Sequence, residues 1–127
     1  RRMLGVFAAG KLLNSKTARS QMIGGMIWGV GAALTEETVL DPRHGHFVNH
    51  DLGDYHVPCH VDVPNVEAVF LDEHDDKANP FGAKGIGELG NCGASAAVAN
   101  AVYNATGIRV RSLPITLDKL LPGLPVA

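Results

Sequence analysis

The chain has 127 residues, a formal net charge of −2, and 46% hydrophobic against 19% charged side chains, a balance that fits one folded domain and excludes intrinsic disorder. With a pI near 6.3 and scattered Lys and Arg, it offers no basic surface for nucleic acid. The longest uncharged apolar run, Met22 to Leu34, is 13 residues, too short for a membrane span, and Cys59 and Cys92 form no zinc, iron–sulfur or redox motif.

In chain order, Arg2 to Ala9 predicts a short strand ended by Gly10. Lys11 to Lys16 reads as a turn, with Asn14 or Ser15 suited to cap the helix expected from about Thr17 to Glu37. That helix holds Gly24, Gly25, Gly29 and Gly31, each costing about 0.8–1 kcal/mol of helix propensity. Four such glycines imply that another backbone or a large ligand lies against it. Its middle is apolar all round, which demands burial.

Thr38–Asp41 and His46–Val48 read as hairpin arms around Asp41-Pro42-Arg43-His44-Gly45, and Asn49 to Pro64 as irregular chain. Val66 to Leu71 is the clearest strand. Glu73 to Lys77 reads as a charged, solvated loop leading to the glycine-dense stretch Gly82 to Gly93. Gly93 to Thr106 is an Ala-rich helix without a charged side chain, stopped by Gly107. Ile108 to Arg111 suggests a short strand, and Thr116 a cap for a final helix, Leu117 to Leu121. With no βαβ rhythm, the class is α+β: two buried Gly/Ala-rich helices with a small mixed sheet.

The strongest chemical candidate is Glu88, one carboxylate in the loop Gly82-Ala83-Lys84-Gly85-Ile86-Gly87-Glu88-Leu89-Gly90. Glycines there admit close approach by a ligand. A carboxylate secluded from water would gain the basicity of a general base; the alternative is a solvated loop acid or a helix cap. Gly85, Gly87 and Gly90 match G-x-G-x-x-G literally, but no strand runs into them and Glu88 would repel a pyrophosphate, so the dinucleotide fingerprint is rejected.

Lys11 to Gln21 combines a helix start with Lys11, Lys16 and Arg19, the ingredients of a phosphate site; ordinary capping beside a solvated basic face is the alternative. All six histidines fall between His44 and His74. Pro58 between His56 and His60 argues against a helical metal pair, so no metal ligand is assigned. Cys92 is expected to be a small buried residue.

Three segments together resemble the xanthine dehydrogenase/aldehyde oxidase family of molybdenum hydroxylases. Thr17 to Glu37 is similar to its Gln-containing glycine-rich helix. Asp54-Tyr55-His56-Val57-Pro58, followed by Asp62-Val63-Pro64, looks like its link between helix and strand. Lys84-Gly85-Ile86-Gly87-Glu88 resembles its active-site loop, and the separation of Gln21 from Glu88 fits too. Gly87-Glu88-Leu89-Gly90-Asn91-Cys92-Gly93, where animal enzymes have Gly-Glu-Pro-Pro, is most similar to the molybdenum subunit of bacterial periplasmic aldehyde dehydrogenases.

The resemblance implies oxidation of aldehydes to carboxylic acids with oxygen from water, and Glu88 as the general base. It implies that Gln21 contacts the pterin, that Lys84, Gly85, Ile86 and Gly87 give backbone contacts, and that Lys11, Leu12, Leu13, Asn14, Ser15, Lys16 and Thr17 form the turn holding the dinucleotide. The cofactor implied is molybdopterin cytosine dinucleotide with molybdenum; iron–sulfur clusters and FAD belong to partner subunits. The chain, beginning at Arg1 without a signal-peptide pattern, is expected to be residues 1–127 of an incomplete molybdopterin-binding domain, its C-terminal segment, inactive alone. A periplasmic location is implied, a cytoplasmic one being the alternative. Two other classes stand beside this reading, a histidine-rich metal-binding module using His46, His50 or His60 and a non-catalytic docking fragment.

Overall fold

The computed structural model describes residues 2–63 and 65–125. Strand β1 (Met3–Phe7) is followed by helix α1 (Ser15–Leu34), a hairpin of β2 (Leu40–Asp41) and β3 (His46–Phe47), strand β4 (Val66–Phe70), helix α2 (Ala94–Thr106) and helix α3 (Leu117–Leu120). A single 3₁₀ turn, Leu121–Gly123, follows α3. The α+β class holds.

β1 and β4 pair in parallel, Met3 opposite Val66 through Phe7 opposite Phe70, while β2 and β3 pair antiparallel. These are two separate sheets and not one mixed sheet. The long crossover from β1 to β4 carries α1, a pairing that local patterns could not announce. Alternation sets the faces: Phe7 and Ala68 point inward onto Met22 and Met26 of α1, forming the core with Met3, Ile23, Val66, Phe70, Ile86 and Leu89 around it.

α1 starts two residues earlier than expected because Asn14 is the cap, its side chain accepting from the backbone amides of Lys16 and Thr17 at 3.1 Å each. It ends at Leu34, three residues short of Glu37. Acidic Glu36 and Glu37 would oppose the negative end of the helix dipole, and the amides of Thr35 and Glu36 turn back to the carbonyl of Gly31.

α2 begins at left-handed Gly93 and ends at left-handed Gly107. It packs on α1 through its first turn, where Ala94 meets Gly29 and Ser95 Oγ donates to the carbonyl of Gly29 at 2.8 Å. Only Ala94 is buried, so the expectation of a buried second helix is corrected. Among the described residues no further element covers its outer face. Residues 108–111 form no strand. Thr116 stands at the N-cap of α3 without a side-chain capping bond. In the hairpin, Asp41 receives hydrogen bonds from Arg43 and shares one with His44, which holds its carboxyl down at about 2.

Candidate functional site

Beyond β1 the chain turns at Gly10, whose φ of +62° suits glycine. Here the glycine-dense loop docks. Gly10 and Ala83 form an antiparallel bridge, the amide of Lys11 donates to the carbonyl of Gly82 at 2.8 Å, and the amide of Lys84 donates to the carbonyl of Ala9 at 3.1 Å. Asn79 braces the approach: its amide donates to the carbonyl of Ala83 at 2.5 Å, and its side-chain oxygen accepts from the amide of Phe81 at 3.0 Å.

The far end of the loop lies on α1. Gln21 Nε2 donates to the carbonyl of Gly87 at 2.6 Å. A Cβ on Gly25 would stand 2.8 Å from the backbone of Gly90 and Asn91, and one on Gly90 would stand 2.5 Å from the carbonyl of Met22. The close backbone approach read from the helix glycines is thus made here by the chain's own loop. Gly24, by contrast, faces open space.

Between α1 and this loop runs a groove of about 450 Å³. Leu12, Leu13, Asn14, Thr17, Gln21, Lys84, Ile86 and Gly87, all expected at the site, line it together with Ala18 and Ala83. Lys11 lines a neighbouring recess of about 440 Å³ with Leu12, Asp72, Glu73 and His74. Ser15, Lys16 and Gly85 lie exposed outside both linings.

Four expectations change. Two of the helix-start amides expected to be free for a phosphate are occupied by Asn14, and Arg19 turns away to the carbonyl of Ala68 at 2.8 Å. Glu88, at the end of the groove, is exposed and not secluded, its carbonyl accepting from the amides of Asn91 and Cys92. Cys92 is exposed as well. The charged loop after β4 is not simply solvated: Lys84 Nζ is ion-paired with Glu73 and stands 3.4 Å from Asp75 Oδ2. That hydrogen bond holds the Glu73 carboxyl below its ordinary range and the Lys84 ammonium above its own. Sequence reading missed Glu73 and Asp75 because a run of charges after a strand reads as surface; only the long-range docking of the loop brings a cation to them.

Among the described residues, no three His, Cys, Asp or Glu side chains gather for a metal ion. Among the described residues no helix is long and apolar enough to cross a membrane.

The family model for the molybdopterin cofactor-binding domain matches residues 1–64. The aldehyde oxidoreductase molybdenum-binding subunit PaoC of Escherichia coli (strain K12) is 65% identical over 125 residues, 98% of this chain and 17% of that protein. The putative xanthine dehydrogenase molybdenum-binding subunit XdhA of the same strain is 38% identical over 119 residues, 94% of this chain and 16% of its own length. The crystal structure of the aldehyde oxidoreductase from Desulfovibrio desulfuricans ATCC 27774 superposes with a TM-score of 0.83 at 34% identity, covering 98% of this chain and 13% of that one. The chain therefore spans about one sixth of the length of the curated relatives it matches.

Proposed function

The chain belongs to the molybdopterin cofactor-binding domains of the xanthine dehydrogenase/aldehyde oxidoreductase family, and from that membership we propose that it is the part of a molybdenum hydroxylase that supplies one wall of the cofactor site and the catalytic base. The observation that carries the reading is the groove between α1 and loop 84–87, where eight residues expected at the cofactor converge and whose lining ends at Gly87, the chain neighbour of Glu88. The fit is physical. A Cβ on Gly85 or Gly87 would meet nothing within 4 Å, so a flat ligand can lie directly on that backbone. Gln21 ties the helix to the loop across the groove, fixing the spacing of the two walls.

The molybdenum cofactor, when bound, supplies the two-electron redox exchange with the substrate. The residues of this chain supply position and proton transfer. Leu12, Leu13, Asn14 and Thr17 form the wall at the helix start, and Lys84, Ile86 and Gly87 the opposing wall. Glu88 would accept the proton of the water-derived oxygen nucleophile as that oxygen attacks an aldehyde carbon, and the carboxylic acid results once the aldehyde C–H hydrogen leaves with its electron pair, the two-electron loss that the bound cofactor would take up. A base in this role works best when covered from bulk water.

That cover would come from elsewhere in the subunit. A folded monomer of 13.4 kDa is expected to expose about 6,500 Å², whereas this chain exposes 8985 Å². Leu4 and Val6 of β1 and Val69 and Leu71 at β4 are each about half exposed on the outer face of the sheet. The surplus supports a larger assembly: the remainder of the molybdenum subunit, with partner subunits carrying iron–sulfur clusters and FAD. The same reading includes the cytosine dinucleotide form of the cofactor and a periplasmic location.

The deciding experiment is Glu88→Gln in the intact enzyme. Molybdenum content should be retained while turnover falls roughly 10²–10⁴-fold, the usual contribution of a general base. Near-normal turnover at full molybdenum occupancy would refute the assignment of Glu88.

A further inference from the structure

The glycine-dense loop is held at its start by a charge cluster that the roles above leave unused. Lys84 Nζ is ion-paired with one carboxylate oxygen of Glu73 and lies 3.4 Å from Asp75 Oδ2. The other oxygen of Glu73, Oε2, accepts from the amide of Gly10 at 3.4 Å. Glu73 thus touches both strips of chain that form the groove: the turn from β1 into α1 and the loop that leads to Glu88. The side chains of Lys84, Glu73 and Asp75 are only 30%, 30% and 31% exposed, so solvent screens their attraction less than that of a surface pair. Lys84 is among the residues lining the groove, and its ammonium is spent on the two carboxylates.

We propose that Glu73 is a positioning residue: acting through Lys84, it sets the seat of loop 84–88 on the end of β1 and thereby the place of Glu88 beside the groove. The inference rests on the reading of Glu88 as the base. Two bonds report the seat directly, from the amide of Lys11 to Gly82 and from the amide of Lys84 to Ala9. A carboxylate at position 73 reaches both the Gly10 amide and the Lys84 ammonium; an uncharged side chain there leaves Lys84 to Asp75 alone and lets the loop shift.

The test uses the intact molybdenum enzyme as Glu73→Gln and Lys84→Met variants. Asp41→Asn, in the hairpin, controls for general loss of stability, and Glu88→Gln controls for the underlying reading. In Glu73→Gln and Lys84→Met, kcat should fall about ten- to a hundredfold, as a displacement of about 1 Å produces. KM and molybdenum content should stay as in the wild type. The amides of Lys11 and Lys84 should exchange hydrogen faster. Asp41→Asn should lower Tm while moving neither readout. Unchanged exchange at Lys11 and Lys84 in Glu73→Gln overturns the proposal, and so does faster exchange with wild-type kcat. Molybdenum loss in Lys84→Met alongside wild-type kcat in Glu73→Gln also overturns it, assigning the ammonium to the cofactor itself. Should Glu73→Gln not fold, Lys84→Met carries the same expected signature and the same refutations. Normal turnover in Glu88→Gln brings down the reading of the base, and the proposal with it, even where exchange at Lys11 and Lys84 responds.

Discussion

Two grooves open at opposite ends of the unit formed by β1 and α1, and their walls differ in kind. At the start of α1, the groove of about 450 Å³ is bounded by a glycine loop laced down by Gln21 and by backbone bonds to Ala9 and Lys11. At the end of α1, a larger groove of about 740 Å³ runs between Val30 and Leu34, the start of β1, and Val98 and Val102 of α2. Its walls are chiefly aliphatic. The first has walls whose spacing is fixed by internal hydrogen bonds and a backbone face open at Gly87, so it can select a ligand by shape. The second offers burial and dispersion, which suit an apolar protein surface and carry little directional information.

The sharpest way to break this contrast is to pry the glycine loop off its helix. In Gly25→Ala the added Cβ meets backbone at 2.8 Å, and backbone cannot rotate aside as a side chain can. The expected cost is about 1–3 kcal/mol, typical of overpacking, with lowered cofactor occupancy in the intact enzyme. A variant with unchanged Tm and full molybdenum would show that loop and helix are not in the contact described.

The aliphatic end is tested on the chain alone. Isolated, it should self-associate and bind a hydrophobic dye, since so large an apolar surface is unusual for a monomer. Ala101→Asp, in the wall of the larger groove, should weaken self-association roughly tenfold in Kd, equivalent to ~1.4 kcal/mol, as read by sedimentation. A dye-negative monomer would mean that this groove needs no cover.

Gln21→Ala removes the bond to Gly87. Net loss of one hydrogen bond is about 0.5–1.5 kcal/mol, so cofactor occupancy should drop modestly while the pH profile of the remaining holoenzyme keeps its form. An altered pH optimum at unaltered occupancy would make Gln21 a participant in proton transfer. The smallest effect is expected at Gly24, one residue from Gly25 but facing open space. Gly24→Ala should stabilise by about 0.8–1 kcal/mol through helix propensity alone. A loss of Tm there would reveal a partner on that face.

Much of the site was legible because it depends on local chemistry. Asn14 reads as a cap from its position before an apolar run, Gly107 as a helix stop from its place after one, and loop 82–90 as a ligand approach from its glycines. Glu73 was not legible. Its meaning depends on Lys84, which comes to it through the docking of one loop on the end of a strand that lies far away in sequence. The same limit hid the parallel pairing of β1 with β4 and left α2 looking buried when only Ala94 is.

By itself, then, the sequence determined most of the elements, the helix ends at Asn14 and Gly107, and the α+β class, because helix periodicity, capping and glycine freedom act within a few residues of chain; Glu88 stood out by its place among glycines, and Gln21 through the family resemblance. The tertiary structure alone decided which backbone fills the space beside Gly25 and Gly90 and what the ammonium of Lys84 meets. Those outcomes turn on contacts between segments distant in the chain, whose placement is set by the burial of Phe7, Met22, Met26 and Ala68 in one core, and local pattern carries no record of that placement.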